Sequence, residues 1–399
     1  MKKIRYDCEI LRENLRETLI QFVNCRLINI LENYYSIVEN GEIWIKNGRI
    51  IDGKKIFYDE KCNADLQVDC CGLIIAPGFI DIQINGGFGT DFSSVAAEDF
   101  VEKVEEFSQS ILRYGCTAYC PTFISSRPEI YHKVRAHLEG PFIAKTKKGA
   151  HPEANICEDF GDDPVLTIKS VYGSLENVSI VTVAPELNGV EKAIEFLKRK
   201  NIVVSLGHTN AHLEDGLAGL HAGATALTHL FNAMRPLHHR DPGIIGLITM
   251  KHSSPLYFGI ISDGIHCDEA ILRIAHSVHP DGLILITDAI AAFGMGDGIH
   301  RLGDQKVRCK GMKATVDGTN TIAGSIASMD HCVRYFKKVT GCSLAEAIYC
   351  ATARPARLLG IEKERGSLSF GCFADLILID DDISVHATFV GAKLSYLAL

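Results

Sequence analysis

Four polar residues each sit at the end of an apolar run. Glu139 closes VRAHLE, His208 follows IVVSLG, His229 lies in TALTHL and Asp288 closes LILITD. Two imidazoles and one carboxylate suit Zn²⁺ or a similar divalent ion and leave a coordination position for water. Asp288 can reach the same central volume and act as a general base toward that water. Taken singly, each has a plainer reading: Glu139 in a buried network, the histidines as hydrogen-bonded core groups, Asp288 as a helix cap or backbone acceptor. Taken together at separate run ends they are hard to explain that way, because burying so many polar groups without a shared purpose costs stability.

The stretch PGFIDIQINGGFG, residues 77–89, opens on a buried-strand pattern and ends in glycines. Gln83 and Asn85 alternate along it, so both side chains leave one face of a strand. Amides are poorer zinc ligands than imidazoles. His151, in KKGAH, and His266, in SDGIH, follow strand-like runs and could enter a site. His132, His212 and His221 fall in helix-like segments, and His238 and His239 in a loop. GGFG lacks the GxGxxG spacing and suits a tight turn over the site; no GxxxxGK[ST] phosphate loop is present.

Eight short apolar runs, mostly separated by helix-like segments, must carry these residues: 79–84, 117–121, 134–139, 178–184, 202–207, 225–230, 256–262 and 283–288. That repetition predicts an α/β fold, a (β/α)₈ TIM-like barrel with its active site at the C-terminal strand ends. An open doubly wound sheet is the alternative. Before the runs, GEIWIKNGRIIDG places Asn47-Gly48 between alternating apolar positions, a hairpin signal. After Asp288 comes a long glycine-bearing segment, either a lid or a fixed excursion. Strands then return in GSLSFGCFADLILID and HATFVGAKL. Each terminal set alone is thin for a core. The expectation is therefore a small β-sandwich domain built from both chain ends, 1–76 and 361–399, with the barrel at 77–360.

Composition narrows the function. The 399 residues carry a formal net charge of −8 and no long basic run, which argues against a nucleic-acid surface. The start becomes acidic and helix-like before any apolar stretch develops, so neither a secretory segment nor a membrane partner is expected. Fourteen cysteines without a CxxC pair, several inside apolar runs, read as reduced thiols of a cytoplasmic protein.

In order along the chain, PGFIDIQINGGFG, HLEGPFI with KGAH, GHT, THLFNAM, DGIH and ITDA resemble the N-acetylglucosamine-6-phosphate deacetylases of the amidohydrolase superfamily. The closing GSLSFGCFADLILID is similar to that superfamily's return to its small β domain. The resemblance implies hydrolysis of N-acetyl-D-glucosamine 6-phosphate to D-glucosamine 6-phosphate and acetate, in amino-sugar salvage. It implies one divalent ion per subunit, Zn²⁺ by preference, on Glu139, His208 and His229. Asp288 would be the proton acceptor and donor. His151 would contact substrate and help polarise the carbonyl, with Asn232, Ala233, Arg240 and His266 as further substrate contacts. Gln83 and Asn85 stand where other amidohydrolases carry a first His pair, and so would mark vestigial positions of a second ion. A homodimer is implied as well, because in some members a phosphate contact comes from the neighbouring subunit. A cyclic-amide hydrolase is the runner-up, weakened by the missing His-x-His; a binding protein on a retained barrel is the non-enzymatic alternative.

Overall fold

The computed structural model describes residues 1–31, 34–59, 61–96, 98–131 and 136–398. Positions 134–135 of the third apolar run, and His132, lie outside them. The eight runs form one parallel sheet in chain order. Its strands are β1 (Phe79–Ile84), β2 (Cys116–Phe123), β3 (Ala136–Glu139), β4 (Val178–Val183), β5 (Val203–Leu206), β6 (Ala226–Leu227), β7 (Tyr257–Ile261) and β8 (Leu283–Ile286). The sheet comes round on itself just beyond β8. There the Asp288 N–H donates to the Gln83 carbonyl at 2.9 Å, and the Asn85 N–H donates to the Ala289 carbonyl at 2.7 Å. This is a nearly closed eight-stranded TIM-like barrel.

All six residues of β1 and all four of β3 are buried. A strand buried on both faces needs apolar residues outward, against helices, and tolerates polar ones only inward where partners exist. Asp81 and Gln83 on β1, with Asn85 just past it, and His137 and Glu139 on β3 follow that period of two.

The chain ends share a nine-stranded sheet in which Ile74–Pro77 pairs antiparallel with Leu376–Ile379. The long strand Ile20–Leu31 branches it, pairing with Tyr34–Lys46, Leu66–Asp69 and Ile74–Pro77. The hairpin read at Asn47-Gly48 is present: both residues take positive φ, 55° and 72°, between paired Lys46 and Arg49. One apolar cluster draws on both ends, including Phe22, Val68, Leu378 and Phe389. Phe22 and Phe389 meet edge to face at 5.3 Å.

The chain divides into two compact units, one of Asp81–Phe107 and Tyr119–Ser328, the other of Met1–Ile80, Ser108–Ala118 and Met329–Leu399. The second unit therefore reaches further into the chain than the boundary at residue 361 drawn from sequence. The helix Leu344–Cys350 accounts for part of the difference, since its Tyr349 ring lies 5.1 Å from Tyr35. The glycine-bearing segment after Asp288 is a folded three-stranded meander, Gly298–Leu302, Gln305–Lys310 and Lys313–Val316. Its Leu302, Val307 and Cys309 pack with Ile124, Ala150 and Ile290.

If the end domain folds as one unit, Phe389→Ala should lower the free energy of unfolding by roughly 3–5 kcal/mol. Denaturant titration checks this, and a loss below about 1 kcal/mol would mean that the two ends do not share a core.

Candidate active site

The barrel strands bring Glu139, His208 and His229 together from the ends of β3, β5 and β6. The Glu139 Oε1 lies 2.9 Å from His229 Nε2 and 3.2 Å from His208 Nε2, and the two Nε2 atoms are 3.0 Å apart. His208 donates its Nδ1–H to the Lys147 carbonyl at 2.8 Å, which leaves the Nε2 lone pair facing the other two ligand atoms. Three buried donor atoms within 4.8 Å of one another, one of them anionic, fit a divalent cation. Burial pushes Glu139 up, but the imidazoles of His208 and His229 outweigh it and hold the carboxyl well below its usual range.

Gln83 and Asn85 serve the carboxylates. Gln83 Nε2 donates to Glu139 Oε1 at 2.7 Å and, more weakly, to Asp288 Oδ1 at 3.4 Å. Asn85 Nδ2 donates to the same Asp288 oxygen at 2.7 Å. An amide between two carboxylates has to present its NH₂ group. Burial, and then the charge of Glu139, push Asp288 up to about 7.

His151 accepts at Nδ1 from the Ser125 N–H at 3.2 Å, with the Ser125 hydroxyl at 2.8 Å. Its proton is therefore on Nε2, which lies 3.9 Å from Glu139 Oε2. Burial and the neighbouring His208 keep this ring neutral. His266 donates Nδ1–H to Asp263 Oδ2 at 2.8 Å and turns its other nitrogen away from that partner. Burial raises Asp263, but the bond from His266 outweighs it and holds the carboxyl below its usual value.

Glu139, His208, His229, Asp288, Asn85, His151 and His266 line a cavity of about 430 Å³, together with Asn232 and Ala233, while Gln83, Ser125 and Asp263 stand behind its wall. Arg240 is not among its lining residues. Its side chain is exposed and its guanidinium donates to His239 Nε2 at 3.0 Å. Asn320, Thr321 and Ile322, which follow the meander, line the cavity without having shown any chemical spacing in the sequence. Two other residues that sequence reasoning passed over act behind the site. Ser125 fixes the His151 tautomer. His137, pushed down to about 4 by burial, bonds the Ile82 carbonyl and the Thr182 hydroxyl as a neutral core group.

Backbone shape at the strand ends is unusual. His208, His229 and Asp288 have φ of 48°, 30° and 50°, a region that non-glycine residues occupy only when their surroundings over-determine it. Gly207 makes one such approach possible, because a Cβ there would lie 2.6 Å from Thr228 Cβ.

Residues 74–396 match the model of the amidohydrolase family. The N-acetylglucosamine-6-phosphate deacetylase of Caenorhabditis elegans is 46% identical, covering 100% of this chain and 99% of its own length. The human protein of that description is also 46% identical, covering 95% of this chain and 96% of its own. A solved structure of a mutant N-acetyl-D-glucosamine-6-phosphate deacetylase from Mycobacterium smegmatis, in complex with N-acetyl-D-glucosamine 6-phosphate, superposes with a TM-score of 0.81. It is 28% identical and covers 95% of this chain and 99% of its own.

Two outcomes are expected from this geometry. A divalent ion bound to the native fold alone raises stability by about 4 kcal/mol at a thousand times its dissociation constant. Zn²⁺ added to chelator-treated protein should therefore raise the melting temperature, and Glu139→Gln should abolish the rise; an unchanged melting curve for the wild type would remove the metal reading. Asp263, whose pKa is depressed in the fold, contributes stability above its unfolded value that is lost as pH falls through the folded one. Asp263→Asn should cost roughly 1.5–3 kcal/mol at neutral pH, a cost that shrinks toward about pH 3. Urea midpoints at the two pH values test it, and a pH-independent cost would contradict the charge-assisted bond.

Proposed function

Because the chain belongs to the amidohydrolase family, among its N-acetylglucosamine-6-phosphate deacetylases, we propose that it hydrolyses N-acetyl-D-glucosamine 6-phosphate to D-glucosamine 6-phosphate and acetate, in amino-sugar salvage. The observation that carries this reading is the pairing within one cavity of a carboxylate pushed up to about 7, Asp288, with a compact Glu/His/His cluster. A divalent ion held by Glu139, His208 and His229, Zn²⁺ by preference and one per subunit, supplies Lewis acidity and lowers the pKa of a water molecule.

The chain's own groups do the rest. Asp288 takes the proton of the attacking water, and a base whose pKa lies near the working pH is suited to giving it back. It returns that proton to the departing sugar nitrogen, since expulsion of an unprotonated amide anion is prohibitive. His151, fixed with its proton on Nε2, donates toward the acetamide oxygen as charge builds there. Asn232 and Ala233 lie against the sugar. His266, oriented by Asp263, is available to the phosphate. Arg240, exposed and outside its own chain's cavity, suits a phosphate contact made across a homodimer. Among the described residues no helix is long and apolar enough to cross a membrane.

Acetate release should be strong from the 6-phosphate and weak from unphosphorylated N-acetylglucosamine. Asp288→Asn should lower turnover roughly 100- to 10,000-fold while its metal content stays that of the wild type. Near-normal turnover of that variant would refute the acid–base role. Absence of acetate from metal-replete wild type would refute the substrate.

A further inference from the structure

Asp81 is a carboxyl group inside the first barrel strand, pushed up to about 7 by burial. It is 1% exposed and makes no ion pair among the described residues. Three donors face it instead. The Thr287 hydroxyl donates to Oδ2 at 2.5 Å, and the N–H groups of Gln83 and Thr287 approach Oδ1 at 3.2 and 3.4 Å. Both donor residues neighbour the reaction. Thr287 immediately precedes Asp288, and the Gln83 side chain donates to Glu139 and Asp288.

The Asp288 backbone needs such support, because its φ of 50° is unfavourable for a residue with a side chain. Its N–H donates to the Gln83 carbonyl at 2.9 Å, and its carbonyl accepts from the Ser325 N–H at 2.8 Å. The Ser325 hydroxyl donates to the Thr287 carbonyl at 2.5 Å. Gly324 lets this segment approach, since a Cβ there would come within 2.8 Å of the Asp288 carbonyl oxygen. Thr287 is thus held at its N–H, its hydroxyl and its carbonyl, and Asp81 supplies two of the three grips.

We propose that Asp81 is a positioning residue for the reaction, acting through the Thr287 hydroxyl to set the direction of the Asp288 carboxylate. The proposal rests on Asp288 being the proton-transfer group. A displacement of about 1 Å at a reacting group can cost on the order of a hundredfold in rate. Loss of the grip should therefore appear in kcat and not in the binding of substrate or metal, whose other contacts come from different strands. Serine at 287 keeps the hydroxyl, whereas valine keeps the shape and removes it. Asparagine at 81 turns an NH₂ group toward either the Thr287 hydroxyl or the two N–H groups, and cannot accept from all three.

The test uses the full-length, zinc-loaded chain with N-acetylglucosamine 6-phosphate as probe. Thr287→Val and Asp81→Asn should each lower kcat roughly 10- to 100-fold, with KM and zinc content within about threefold of wild type. Thr287→Ser should restore kcat to within about threefold, and Asp81→Asn/Thr287→Val should be no slower than the slower single variant. The proposal is overturned if either single variant keeps wild-type kcat while Asp288→Asn is inactive. A Thr287→Ser variant as slow as Thr287→Val also overturns it. So does loss of folded, zinc-loaded protein in the variants, which would assign the grip to folding alone. Activity in Asp288→Asn would instead refute the base assignment on which the proposal rests.

Discussion

Two carboxylates face one buried volume, and the structure depends on how their charges are kept compatible. Glu139 and Asp288 are both nearly excluded from solvent, and each raises the cost of ionising the other. The Gln83 amide lies between them and donates to both, while Asn85 donates to Asp288 alone. The two carboxylates nevertheless remain unequal. Glu139 has two imidazoles against it and is held low, whereas Asp288 has amides and stays near neutrality. One environment makes a permanent anion suited to a cation, and the other makes a group that can trade a proton.

The barrel makes that inequality possible by delivering the groups from different strands. Glu139 ends β3, His208 and His229 follow β5 and β6, and Asp288 follows β8, so no two of these four share a strand. The left-handed backbone at His208, His229 and Asp288 turns side chains that would otherwise follow the strand period. Such conformations are tolerated because bonds at each turn hold the backbone, as the His208 carbonyl accepting from the Ala144 N–H at 2.9 Å illustrates.

Much of this was legible in the sequence, for physical reasons that also explain what was not. A polar residue at the end of an apolar run is conspicuous, so Glu139, His208, His229 and Asp288 could be picked out one by one, and the runs themselves pointed to the barrel. The Asn47-Gly48 turn was legible because few residue pairs accept positive φ in succession. Gln83 and Asn85 were visible only as absent histidines, since the role of an amide is set by partners more than fifty residues away. Ser125 carries no spacing signal and Asp81 only the alternation of its strand, and both act through contacts that the nearly closed sheet creates. Asn320 and Thr321 reach the cavity because a three-stranded meander intervenes after β8, and its packing could not be read from glycine content. Arg240 carried a resemblance in sequence, yet lies outside its own chain's cavity.

If the Gln83 and Asn85 amides are hydrogen-bond donors to the carboxylates, they are not free to ligate a second ion. The direct measurement is the metal content of the native chain by elemental analysis, after equilibration with excess Zn²⁺ and removal of loosely held ions. One ion per chain is expected, lost together with Glu139. Two tightly held ions per chain would contradict the donor role and turn Gln83 and Asn85 back into ligands.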